Sequence, residues 1–115
     1  MSSHSIYSCN YNQMYKLYLA KVEKKGRTAS ELDEVISWLT GYSVEGLSNI
    51  EDSIDMTRFF ENAPDLNENR KLIKGSICGV KLAEIEEPLM REIRYLDKVV
   101  DELAKGKAVE KILRN

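Results

Sequence analysis

Trp38-Leu39-Thr40-Gly41-Tyr42-Ser43 reads as a helix end, a glycine turn and the start of another helix. A glycine just past a helix end suits the left-handed backbone position, where a side chain would be strained. Ser43 then stands where an N-cap acceptor is wanted for the next helix. The arrangement recurs at Ser76-Ile77-Cys78-Gly79-Val80-Lys81. Laid over each other with no gap, Val35, Leu39, Gly41, Val44 and Leu47 fall on Ile73, Ile77, Gly79, Leu82 and Ile85. Each copy places an apolar helical face before a glycine and another after it, although Lys81 is a poorer cap than Ser43. Two readings stay open: a duplicated helical unit packed face to face, or two ordinary corners that use similar chemistry.

Outward from the first corner, Thr28 and Glu31 have capping-box spacing, and Leu32, Val35, Ile36 and Leu39 form the buried face of the helix they open. Trp38 lies to one side of that face. Upstream, Asn10 and Gln13 predict a first helix carrying Tyr11, Met14, Tyr15, Tyr18 and Val22 on one side. Such a tyrosine stripe suits a core whose hydroxyls reach the rim better than a stacking platform. Lys24-Lys25-Gly26 ends it with cations at the negative pole and a glycine stop. Downstream come a short helix near Val44 to Ser48 and a brief one capped by Asp55, carrying Met56, Phe59 and Phe60 and ending before Pro64. Asn67 is expected to cap a helix reaching about Ile77. A strand over Ile73 to Val80 competes with that reading, but no partner strand is evident elsewhere, so helix is the expectation. Pro88 then opens the longest amphipathic element, with Leu89, Ile93, Leu96, Val100 and Leu103 alternating four and three apart. Lys105-Gly106 ends it, and Ala108 to Arg114 forms a last short helix.

The chain of 115 residues is long enough for one real core. Apolar residues make up 43% and charged residues 31%, an ordinary globular balance. A formal charge of −2 supplies no global attraction to phosphate backbones or anionic membranes. No apolar run approaches the length that spans a bilayer, and the residues before Ile6 lack the apolar segment of a secretory signal. Cys9 and Cys78 do not make a disulfide framework, and reduced thiols in a cytoplasm are the default. Residues 1–8 read as a flexible arm holding the lone His4, and 9–115 as a single helical domain.

No constellation rises to catalysis. Paired-cysteine metal spacing, a phosphate-cradling glycine loop and a nucleophile elbow are all missing from the sequence, so neither metal nor cofactor is expected. Glu84, Glu86 and Glu87 fit a solvated helix start. Cys78, at an expected helix C-terminus, faces a potential that raises its thiol pKa and favours a buried hydrophobe. The two turns faintly resemble helix-hairpin-helix modules, in which a glycine–apolar–glycine turn holds a phosphate. Both depart at the second glycine, which is Ser43 in one and Lys81 in the other.

A closer resemblance runs from Ile6 to Leu113. It is carried by Lys25-Gly26-Arg27-Thr28, Trp38-Leu39-Thr40-Gly41-Tyr42, Cys78-Gly79-Val80, Pro88-Leu89-Met90, Ile93-Arg94-Tyr95-Leu96-Asp97-Lys98 and Asp101-Glu102-Leu103-Ala104-Lys105-Gly106-Lys107. In these stretches the chain resembles a small bacterial family known as domain of unknown function 2200. Glu87 stands where the family commonly has aspartate, and Lys16 where it often has proline. The resemblance implies a bacterial cytoplasmic protein and brings no activity or site residues with it.

The expectation is therefore an all-α, compact single domain of about five to seven helices. It has two helix-glycine-turn-helix corners, with the amphipathic helix from Pro88 packed across both. A non-enzymatic interaction or regulatory protein, working through an apolar groove as a homodimer or with another protein partner, leads the functional readings. Nucleic-acid binding through the two turns, with Lys74 and Lys81 on phosphate, is the disfavoured alternative. The other alternative is a ligand binder or enzyme with Cys78 and Tyr42 near a pocket. The candidate binding residues are Trp38, Gly41, Tyr42, Ser43, Cys78, Gly79 and Lys81.

Overall fold

The four-three spacing from Leu89 to Leu103 produces the helix that organises the molecule. In the structure, a computed structural model describing residues 5–77 and 79–114, this helix runs Pro88–Ala104. It is α5 of six α-helices among the described residues. The others are α1 (Tyr11–Glu23), α2 (Ala29–Thr40), α3 (Val44–Ser48), α4 (Met56–Glu61) and α6 (Val109–Ile112). Three 3-10 turns, Ser5–Ser8, Glu68–Leu72 and Leu82–Glu84, and one small hairpin are the other elements among the described residues. The fold is mostly α. Pro88 occupies the first turn of α5, where its missing N–H costs nothing. Ile93, Leu96, Val100 and Leu103 are buried, and so are Tyr95 and Val99, which widen the stripe beyond a coiled-coil seam. The helix packs against α1, α2, α4, α6 and the hairpin.

The other helices start where their caps are. Asn10 accepts from the Gln13 amide, Thr28 and Glu31 close a reciprocal capping box, and Ser43 and Asp55 accept from Gly46 and Arg58. Leu32, Val35, Ile36 and Leu39 are all fully buried. Of the tyrosine stripe, Tyr11 and Tyr18 are buried and Tyr15 is half-buried. The hydroxyls of Tyr15 and Tyr18 reach out to carboxylates, donating to Asp33 (2.6 Å) and Asp97 (2.7 Å). The arm expected over 1–8 is described from Ser5, where Ile6 and Tyr7 pack against the core. His4 and Cys78 lie outside the described residues.

α1 and α5 end alike, in the paired bonds of a Schellman motif. Gly26 and Arg27 donate back to Glu23 and Val22, and Gly106 and Lys107 to Leu103 and Glu102. Arg27 joins these two ends. Its guanidinium is forked onto Glu31 and also donates to the carbonyls of Leu103 and Lys107, at the negative pole of α5.

The two glycine corners are not alike. Gly41 ends α2 with φ +83° and donates to the Ser37 carbonyl, as expected. The returning chain grips this corner, with the Asp65 amide donating to Thr40 O (3.1 Å) and Asn67 to Leu39 O (3.0 Å). A Cβ on Gly41 would lie 2.6 Å from the Asp65 nitrogen. The helix expected from Asn67 to Ile77 is corrected: it stops at Leu72 as a 3-10 turn, and the chain then extends. Ser76–Ile77 (β1) pairs antiparallel with Val80–Lys81 (β2), in the register Ser76↔Lys81 and Ile77↔Val80. The partner strand is local, reached through the tight turn at Gly79 (φ +78°), so no distant strand was needed. Apolar Ile73, Ile77, Val80 and Leu82 alternate here with Lys74, Ser76 and Lys81, a period of two rather than 3.6. The internal repeat and the second helical corner therefore fall away, and α5 packs on a helical corner and a hairpin rather than on two matched corners.

Two stability changes follow. Gly41→Ala combines left-handed strain with a backbone collision and is expected to cost 3 kcal/mol or more, on the order of the sum of those effects. Gly26→Ala, also at positive φ but with open space around it, should cost about 1 kcal/mol. Urea unfolding of both compares them, and equal losses would mean that Asp65 does not press on Gly41. Arg27→Met removes the cationic donor from the carbonyls of Leu103, in the last turn of α5, and Lys107, just beyond it, and is expected to cost about 1.5–3 kcal/mol. Lys21→Met, which removes one of the two lysines paired with Asp101 and leaves Lys105 on it, should stay within about 1 kcal/mol in the same assay.

Candidate functional site

The hairpin, the 3-10 turn before it and the first half of α5 enclose a cleft of about 660 Å³. Asn67 starts this wall by accepting from the Asn69 amide. Ile73 then drops into the core, Gly75 turns at φ +102° beside the Lys98 side chain, and the Leu82 amide donates to Gly75 O. Lys98 also donates to the Ser76 carbonyl, tying the hairpin to α5. Ile73, Leu82 and Tyr95 are buried and form the apolar floor.

The rim is basic. Arg70, Lys71, Lys74, Lys81 and Arg91 line the cleft, against one carboxylate, Glu92. Two of these cations are committed to the fold. Arg70 makes a forked pair with Glu92 (2.8 and 3.0 Å) and donates to Asn67 O, and the Glu92 bond holds its guanidinium pKa above the ordinary value. Arg91 donates twice to the Ile85 carbonyl, securing the chain that enters α5. Lys71 makes only a loose 3.6 Å pair with the exposed Glu68. Lys74 and Lys81 have no ion-pair partner among the described residues, and both are exposed. Tyr95 makes no hydrogen bond among the described residues, so its hydroxyl remains available at the floor. Apolar floor, free ammonium groups and a phenol together suit an anion attached to an apolar or aromatic body.

The candidate residues are divided by the fold. Lys81 lines the cleft, Gly79 forms the hairpin tip beside it, and Cys78 lies outside the described residues. Trp38, Gly41, Tyr42 and Ser43 stand elsewhere. Trp38 is half-buried against the core, and Tyr42 stacks on Phe59 (centroids 4.9 Å apart) and donates to its carbonyl. Burial raises the Tyr42 pKa, as expected for a packing phenol. Arg70, Ile73, Ser76, Leu82, Arg91 and Tyr95 were not candidates from sequence. The alternation of apolar and polar residues from Ile73 to Leu82 was the signal that would have grouped several of them. Among the described residues no three His, Cys, Asp or Glu side chains gather as a metal site, and no helix is long and apolar enough to cross a membrane.

No curated protein matches this chain. It is similar to a solved crystal structure described as uncharacterized protein SP1917, at 44% sequence identity and a TM-score of 0.90, covering 96% of this chain and 92% of that one. A family model described as an uncharacterized protein conserved in bacteria matches residues 5–114. The chain belongs to that bacterial family, domain of unknown function 2200.

Proposed function

We propose that this protein is a non-enzymatic binding protein that holds a small anionic ligand with an apolar body, about the size of a mononucleotide, in the cleft between the hairpin and α5. The observation that carries the reading is the pair Lys74 and Lys81, exposed cations with no ion-pair partner among the described residues, on the rim of an apolar-floored cleft. No carboxylate offsets these two ammonium groups among the described residues, whereas Arg70 and Arg91 are held by protein acceptors and serve as fixed walls. The volume falls within the range of small-molecule sites, roughly 300–1,000 Å³. A long nucleic acid fits less well. The net charge is −2, and the two turns that were to straddle a duplex are now a helix corner and a strand hairpin. A regulatory role is the natural use of such a site, because ligand contacts on the hairpin and on α5 would tie both elements together.

The test is an amide NMR titration with adenosine monophosphate as the probe, at low and at moderate salt. Saturable shifts confined to residues 70–83 and 91–95 are expected, weakening as salt rises. The Lys74→Ala/Lys81→Ala double variant should bind at least about tenfold more weakly, equivalent to 1.4 kcal/mol. Lys24→Ala, outside the cleft, should bind as the parent does. Shifts that do not saturate, or a double variant with unchanged affinity, would remove the proposal.

A further inference from the structure

The cleft between the hairpin and α5 gathers more positive charge than a single phosphate answers. Arg70, Lys71, Lys74, Lys81 and Arg91 line it, against the one carboxylate of Glu92. Pairing within the fold takes up two of these cations. Arg70 is neutralised by the forked bond to Glu92 and donates its remaining nitrogen to Asn67 O. Lys71 shares its charge with Glu68 at 3.6 Å. Lys74, Lys81 and Arg91 are left, cleft-lining cations with no ion-pair partner among the described residues.

The two arginines therefore differ, although both are held in place. Arg91 donates through Nε and Nη2, and both bonds go to the Ile85 carbonyl. A carbonyl accepts hydrogen bonds without cancelling a charge. A guanidinium has five N–H donors, so about three of those on Arg91 remain for another acceptor. Arg91 stands on the α5 wall, and Lys74 and Lys81 belong to the hairpin side. Lys81 pairs in register with Ser76, two residues beyond Lys74, and all three line the cleft. One wall thus carries two long-stemmed point charges, and the other carries one positioned fork.

A phosphate monoester carries about −1.5 to −2 near pH 7, and a second linked phosphate raises this to about −3. The larger charge is the one that matches Lys74, Lys81 and Arg91 together. The volume of about 660 Å³ admits the longer ligand. We infer that the cleft takes a nucleoside diphosphate rather than a monophosphate. Its two phosphates bridge Lys74 and Lys81 on the hairpin side to Arg91 on α5, and the nucleoside lies on the floor of Ile73, Leu82 and Tyr95. This ligand class, which rests on the anion cleft proposed above, makes Arg91 the group that recognises the second phosphate and leaves Arg70 part of the frame.

The experiment titrates the full chain with adenosine diphosphate and, separately, adenosine monophosphate, at low salt and with the amide signals of residues 70–83 and 91–95 followed by NMR. EDTA is present, so that no divalent cation shares the charge of the phosphates. The diphosphate is expected to bind at least about tenfold more tightly than the monophosphate. Arg91→Gln removes the charge but keeps an amide donor for the Ile85 carbonyl, and should bring the two affinities within about twofold of each other. The Arg91 side-chain N–H signals of the parent protein should also move as the diphosphate saturates, which tests Arg91 if the variant does not fold. Equal affinities in the parent, an unchanged preference in Arg91→Gln, or Arg91 signals that stay still would overturn the inference while the anion site stands. Failure of both nucleotides to saturate would remove the anion site itself.

Discussion

Burial of one stripe on α5 is the constraint from which the rest of the molecule follows. Ile93, Leu96, Val99, Val100 and Leu103 are all at most 1% exposed, and each such side chain contributes roughly 1.5–3 kcal/mol against exposure. α5 packs against α1, α2, α4, α6 and the hairpin, so without it the faces of α1, α2 and α4 would lose their shared partner. Its C-terminal end is tied to the start of α2 by Arg27, which donates to the carbonyls of Leu103 and Lys107. The same helix also builds the cleft. Arg91, Glu92 and Tyr95 each sit one or two residues from a core position, Ile93 or Leu96, so the turns that bury the stripe also bring these side chains to the cleft.

The cleft thus has one rigid wall and one light one. α5 is anchored on several sides, whereas the hairpin has two-residue strands and gains its position from Ile73, Leu82 and the Lys98 bond to Ser76. Two-stranded hairpins are marginal unless packed on something else. A ligand bridging Lys74 or Lys81 to Tyr95 would stabilise the hairpin in place, which is how a small anion could change the surface this protein shows to others.

Much of the fold was legible because its signals are local. The caps at Asn10, Thr28, Ser43 and Asp55 and the proline start of α5 are written within four residues of the helices they open. The Gly41 corner was legible for the same reason. Its likeness at Gly79 misled, because glycine at positive φ ends a helix and turns a hairpin equally well, and only the residues around it decide. From Ile73 to Leu82 they alternate, and Gly75 at φ +102° bars a helix. The candidate site was less legible than the fold. Lys81 could be named from sequence, but its companions Arg70, Arg91 and Tyr95 come from segments that meet only through tertiary packing. Which lysines are left without partners depends on the pairing of Arg70 with Glu92, and spacing alone does not reveal it.

Native-state hydrogen exchange tests the organising role of α5 most directly. The amides of Leu96 to Leu103 should exchange only through global unfolding, together with those of Val35 to Leu39 in α2, while Leu82, whose amide bonds to Gly75 O at the base of the hairpin, opens at lower free energy. Exchange of the α5 amides through a separate, cheaper opening that leaves α2 protected would contradict the account.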